Sequence, residues 1–249
     1  MKITAEFVTS AAGPSDLPGG GLPQVALVGR SNVGKSSLIN ALVRQSIART
    51  SGTPGKTRLA NIYRVARGSA PAIYVIDLPG YGYARGLRPL DKLGVAPSSA
   101  EGRQAQARGE PAFEEIAESV FAHEPAALLL VDARHPGLDS DLKAWTWLKR
   151  AVARPAVVAT KIDKLARGER IRAMRQLESV FADSVLPVSA VTGEGLDELW
   201  KLIDSLVNRP RPNSSSPSRP RSPRRPPPSR ATARPRLTGA TKALHRPKK

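Results

Sequence analysis

From Gln24 to Val207 short apolar runs alternate with longer amphipathic stretches. The runs Gln24–Val28, Ala72–Ile76, Ala126–Val131, Ala156–Ala159 and Val185–Val188 read as strands. Their apolar positions are mostly continuous, as in strands buried on both faces. Leu59–Arg67 alternates apolar and polar positions and is expected at a sheet edge. Helices are predicted over Lys35–Val43, Ala112–Ala122, Leu138–Val152, Gly168–Phe181 and Leu196–Val207. Strands alternating with helices imply an α/β domain, with a mostly parallel sheet covered by helices on both faces. Such sheets hold ligands just beyond the carboxyl ends of their strands. Residues 1–22 lack periodicity and end in the turn-rich run Gly13–Leu22, so they read as an N-terminal extension to a domain spanning 23–208.

Composition changes this picture mainly at the C-terminus. The net charge is +18, yet residues 209–249 hold 13 of the 39 Lys and Arg residues and no acid. The rest of the chain carries 26 bases against 21 acids. The same 209–249 segment has ten prolines and few apolar residues, so it is expected to be a disordered basic tail. It suits RNA phosphates, or serves simply as a solubilising extension. Cysteine is absent, which excludes disulfides, thiolate metal sites and a cysteine nucleophile. No secretory leader and no apolar stretch of about 18 residues is visible, so a cytoplasmic protein without membrane insertion is expected.

The chemistry lies in five motifs: Gly29-Arg-Ser-Asn-Val-Gly-Lys-Ser36, Thr53-Pro-Gly-Lys-Thr57, Asp77-Leu-Pro-Gly80, Thr160-Lys-Ile-Asp163 and Ser189-Ala190. The first has the G-x-x-x-x-G-K-[ST] form, in which glycines let backbone amides approach phosphates. Its lysine reaches the β/γ oxygens and its final hydroxyl ligates Mg²⁺. A helix follows at once, so the phosphates meet its positive end. The Asp of a T-K-x-D element accepts both N–H groups on the Watson–Crick edge of guanine, a pairing adenine cannot offer. Together the motifs imply a P-loop GTPase domain binding GTP and GDP.

The runs 29–40, 53–57, Asp77-Leu-Pro-Gly-Tyr-Gly-Tyr-Ala84 and Asp132-x-Arg-His-Pro136 resemble the EngB/YihA/YsxC family of bacterial GTPases. The resemblance covers about residues 22–207. It implies a GTP-dependent switch in assembly of the large ribosomal subunit, required for normal septation. Its partners would be pre-ribosomal rRNA and proteins, with a monomeric GTPase. The implied nucleotide contacts are Gly29, Arg30, Ser31, Asn32, Val33, Gly34, Lys35, Ser36 and Ser37, then Gly55, Lys56, Thr57, Arg58 and Leu59. They continue with Asp77, Leu78, Pro79 and Gly80, with Thr160, Lys161, Ile162 and Asp163, and with Val188, Ser189 and Ala190. Ser36 and Thr57 would ligate Mg²⁺, with Asp77 acting through a water. Lys35, Thr57 and the Gly80 amide would act in hydrolysis, Lys161 would pack along the base, and Ser189-Ala190 would offer an amide to its carbonyl. Asn32 is a candidate ligand for an activating K⁺.

Three further features qualify the expectation. Where GTPases that hydrolyse in cis place glutamine after Asp-x-x-Gly, this chain has Tyr81, so turnover is expected to be slow. Residues 86–111 form a Gly/Pro/Ala/Arg-rich stretch longer than the family pattern and read as a mobile insertion. His135 reads as a turn residue, and Trp145 and Trp147 point to different faces of one helix, with one packed on the sheet. The alternative function is a nucleotide-stabilised cell-division scaffold that binds proteins without obligatory RNA contact.

Overall fold

The computed structural model describes residues 2–19, 21–49, 59–81 and 113–208, with side chains from 116 in the last segment. Seven strands form one sheet: β1 (Ile3–Ala11), β2 (Gln24–Gly29), β3 (Ala60–Arg67), β4 (Ile73–Asp77), β5 (Ala126–Asp132), β6 (Pro155–Thr160) and β7 (Val185–Pro187). Their spatial order is β1-β3-β4-β2-β5-β6-β7. β4, β2, β5, β6 and β7 run parallel, while β3 is antiparallel to both of its neighbours. The helices are α1 (Lys35–Val43), α2 (Phe113–Phe121), α3 (Asp139–Ala151), α4 (Arg167–Phe181) and α5 (Leu196–Asn208).

The central strands are apolar throughout because both faces are covered. Successive side chains alternate faces along a strand. Ala26 and Val28 of β2 and Leu129 and Val131 of β5 join Ile116, Leu148, Leu177 and Phe181 from α2, α3 and α4. Val25, Leu27, Leu128 and Leu130 join Leu38, Ile39, Leu199 and Ile203 from α1 and α5. Each fully buried Val, Leu, Ile or Phe side chain among these contributes roughly 1.5–3 kcal/mol of transfer free energy. Trp145 is buried and its indole N–H donates to Phe181 O at 3.1 Å, which docks α3 on α4. Trp147, two residues on, is only partly buried and meets the Phe121 ring edge-on, with centroids 4.9 Å apart.

Two expectations are corrected at the N-terminal side. Residues 3–11, read as part of an aperiodic extension, form a full strand of the same sheet. β3 is therefore interior, not an edge: β1 pairs along its outer side from Ile3↔Arg67 to Ala11↔Ala60. The register slips between Phe7 and Thr9, so an extra residue breaks the period of two that would have marked the strand. Phe7 and Val8 also remain exposed, which removes the apolar face a sequence pattern relies on. The insertion read over 86–111 and the tail from 209 lie outside the described residues. No described helix is long and apolar enough to cross a membrane.

Candidate nucleotide site

The first motif starts on the last residue of β2 and ends on the first turn of α1. Left-handed backbone at Asn32 (φ 61°) and Gly34 (φ 106°) folds the loop around amides of α1 that have no intrahelical partner. The Lys35 side chain runs back beneath the loop, and its Nζ donates to Gly29 O at 3.1 Å and Arg30 O at 3.3 Å. Burial lowers the pKa of this ammonium, and the charge of Asp77 opposes the shift. A cation is thus held under a ring of backbone donors, an arrangement suited to an anion.

Asp77, the last residue of β4, lies beside this loop. Ser36 Oγ donates to Asp77 Oδ2 at 2.8 Å, while Asp77 Oδ1 is buried with no hydrogen-bond partner among the described residues. Burial raises the pKa of the carboxyl, against the charge of Lys35 and the Ser36 hydrogen bond. An unpartnered buried carboxylate oxygen costs on the order of 1–3 kcal/mol or more. A hydroxyl and a needy carboxylate side by side form the hard-oxygen donor set that fits a hydrated Mg²⁺. β3 begins beside the same place, with Asn61 paired to Asp77. Gly55, Lys56, Thr57 and Arg58 themselves lie outside the described residues, and Leu59 is the first described residue after them.

Beyond Asp77 the chain presses on the phosphate loop. Leu78 is fully buried, and a Cβ added at Gly80 would lie 2.6 Å from Ser31 N and 2.7 Å from Ser31 Cα. Only glycine permits that approach. Ser31 N donates to Tyr81 O at 3.2 Å, and Arg30 and Tyr81 form a parallel bridge. The Tyr81 phenol is buried and donates to Asp141 Oδ1 of α3 at 3.0 Å. Burial and the neighbouring Asp141 carboxyl push its pKa far above that of an ordinary tyrosine.

The opposite end of the site comes from β6 and β7. Thr160 Oγ1 lies 2.7 Å from Val33 O, tying β6 to the phosphate loop. Lys161 takes left-handed backbone (φ 60°), and its ammonium donates to Asn32 O and, at 3.0 Å, to Asp132 Oδ2. Arg134 holds the same carboxylate through Nε at 3.0 Å and Nη2 at 2.7 Å. Burial pushes the Asp132 pKa up, but the hydrogen bonds from Arg134 and Lys161 outweigh it and hold the carboxyl well below the usual range. The His135 amide donates to Asp132 O at 2.9 Å, as expected of a turn residue.

Asp163 accepts from Ser189 Oγ at 2.7 Å, with Lys164 Nζ 3.6 Å from its other oxygen. Val188 and Ser189 are fully buried, and Ala190 faces a cavity of about 170 Å³. Gly34, Ser37, Leu38, Lys161 and Asp163 line that cavity too. Its surface is mainly apolar, with one carboxylate at the edge, which suits a flat heterocycle with N–H donors.

Four of the five motifs therefore meet at the carboxyl ends of β4, β2, β6 and β7, with only β5 between the two pairs. Sequence reasoning gave no role to Asp132, although it ends β5 at the same level and could have been noticed on that ground. Nor did it find Asp141, which has no local signature.

Residues 24–161 match the family described as 50S ribosome-binding GTPase. A probable GTP-binding protein EngB from Pelotomaculum thermopropionicum is 41% identical over 213 residues, covering 83% of this chain and 98% of that protein. Among solved structures, Era from Aquifex aeolicus bound to GDP·AlF4⁻ superposes with TM-score 0.60 at 24% identity, over 76% of this chain and 58% of Era. A probable GTP-binding protein EngB superposes with TM-score 0.51 at 21% identity, over 74% of this chain and 98% of that one. These two likenesses fall under 25% identity and bear on the P-loop GTPase fold alone. With 41% identity across nearly the whole of a curated relative, the chain belongs to the EngB family of GTP-binding GTPases.

Proposed function

We propose that this protein is a Mg²⁺-dependent GTP switch that acts in cytoplasmic assembly of the large ribosomal subunit and thereby supports septation. The observation that carries the reading is the pairing of two unlike ends in one site. Lys35 and the loop amides form a cationic cradle, and Asp163 edges an apolar cavity on the same loop's far side. A guanine nucleotide has that polarity, with anionic phosphates at one end and N–H donors at the other.

In this reading Lys35 and the amides of the loop that leads into α1 hold the β- and γ-phosphates. Asp163 reads guanine, Lys161 packs along the base, and Ala190 offers its amide to the base carbonyl. Ser36 and Thr57 would ligate Mg²⁺ and Asp77 would hold one of its waters; bound Mg²⁺ neutralises charge on the β/γ oxygens. Thr57 and the Gly80 amide sense the γ-phosphate and change the protein's surface when it leaves. The ribosomal partner is supported by the matched family's description, and the basic residues of 209–249 supply charge for rRNA.

The test is co-sedimentation with large-subunit precursors. The protein should pellet with the particles in a non-hydrolysable GTP analogue and stay in the supernatant in GDP. Retention in the supernatant with both nucleotides would overturn the ribosomal role and favour a protein scaffold. Absence of calorimetric GDP binding would overturn the nucleotide assignment itself.

A further inference from the structure

We propose that Asp141 is a positioning residue that fixes Gly80 against the phosphate loop by holding Tyr81 and Arg30 together. The proposal rests on the reading of Gly80 as the γ-phosphate sensor and adds a residue to that machinery. Asp141 is 1% exposed in the first turn of α3. Its Oδ1 accepts from Arg30 Nε at 3.1 Å and from the Tyr81 hydroxyl at 3.0 Å. Its Oδ2 is buried without a hydrogen-bond partner among the described residues, so the carboxylate's bonding is concentrated on those two groups.

These groups sit at the joint between the loop and the segment after Asp77. Arg30 and Tyr81 bridge through their backbones, and Tyr81 O accepts from Ser31 N at 3.2 Å. Tyr81 is therefore gripped at its carbonyl by the loop and at its phenol by α3. Gly80, between Asp77 and this double grip, already touches Ser31 with no room for a methyl group. The carboxylate spans 111 residues to Arg30 and 60 to Tyr81, joining three segments that share no local sequence. A carboxylate kept in the core costs desolvation free energy, which hydrophobic packing at the same place would avoid. Its position at this joint supplies a reason for it: with the grip intact, the Gly80 amide is preorganised where a γ-phosphate would arrive. Preorganisation favours the triphosphate over the diphosphate, because only the triphosphate uses that amide.

A merely structural tie would lower stability but leave the preference between nucleotides unchanged. Tyr81→Phe removes only the hydroxyl, Asp141→Asn removes the charge, and the double variant tests whether the two act through one bond. Dissociation constants for GDP and for a non-hydrolysable GTP analogue are measured with Mg²⁺ on full-length protein, with thermal melting alongside. Each single variant should lose about tenfold in analogue affinity, the size of one hydrogen bond to a charged group, with GDP affinity within about twofold of the parent. The double variant should be no worse than the weaker single. Equal losses for both nucleotides, no loss for either, or multiplied losses in the double variant would overturn the proposal. If Asp141→Asn does not fold, Tyr81→Phe decides alone. The parent's own GDP binding separates this result from the underlying reading: without it, both fall.

Discussion

The Ser189 hydroxyl donates to Asp163 Oδ1 at 2.7 Å while accepting from the amides of Val191 and Thr192 at 3.2 and 3.1 Å. One side chain therefore fixes both the loop after β7 and a carboxylate that lines the cavity. Ser189→Ala should weaken GDP binding by about 1–2 kcal/mol, because Asp163 loses its orienting donor. Asp163→Asn should weaken GTP by about 2–5 kcal/mol and favour xanthosine triphosphate, whose 2-carbonyl accepts from the new amide. Calorimetric titration with GDP, GTP and xanthosine triphosphate checks both, and unchanged GTP affinity in Asp163→Asn would sink the base assignment.

Hydrolysis by the isolated protein should be slow. The residue that follows Gly80 has its hydroxyl buried on Asp141, so it positions no attacking water. Turnover should rise on replacing Na⁺ with K⁺ if Asn32 helps hold the ion, and rise further with large-subunit particles. Rapid steady-state phosphate release by pure protein in Na⁺ would mean that another residue positions the water.

The Asp132 ion pairs give a pH signature. A carboxyl whose folded pKa is depressed stabilises the fold above its unfolded pKa of about 3.9, and that stability is lost as pH falls toward the folded value. Asp132→Asn should therefore be less stable to unfolding than the parent at pH 7, by about 1–3 kcal/mol in chemical denaturation. The gap should narrow only below about pH 4. A gap that closes between pH 7 and 5 would assign the effect to another group.

Gly195 has φ +79°, and a Cβ there would run into the Pro187 carbonyl. Gly195→Ala should cost at least about 2 kcal/mol, from backbone strain and a clash that no flexible side chain can relieve. Because the neighbouring Glu194 O accepts from Ser189 N at 2.9 Å, GDP affinity should fall as well. Chemical denaturation and GDP titration of the variant check the pair of effects.

Removing residues 209–249 takes away 13 basic residues and no acid. RNA association should weaken, and its dependence on salt should flatten, because fewer counterions are released. GDP affinity should hold. Filter binding across a salt series measures the slope, and an unchanged slope would remove the tail from the RNA contact.

What the sequence disclosed follows the range of the interactions involved. The phosphate loop is contiguous chemistry: Gly29 to Ser36 spell out their own turn, and in the structure they join the end of β2 to the first turn of α1, with Lys35 folded back on Gly29 and Ser36 on Asp77. The buried strands were legible because Val25–Val28 and Ala126–Val131 need no partner to declare themselves. β1 was not, since its bulge near Val8 breaks the alternation and its ladder partners lie 49 residues (Ala11↔Ala60) to 64 residues (Ile3↔Arg67) further along the chain. The Arg30–Asp141 contact was invisible for a similar reason, because an aspartate in the first turn of a helix is ordinarily a favourable dipole partner and nothing more.

The order of the strands divides the proposed ligand between two neighbourhoods. The phosphate end rests on β4 and β2, and the base end rests on β6 and β7, with β5 between them. On the phosphate side lie the residues proposed to answer the γ-phosphate; on the other side Asp163 and Ser189 tie the loops after β6 and β7 to each other, and Lys161 is bonded to the phosphate loop. Departure should therefore run in sequence, with the phosphates loosened first and the guanine leaving last, like a key withdrawn after its bit has cleared the wards. An exchange partner for this protein would accordingly gain most by prising at Ser36 and Asp77, and least by reaching for the base.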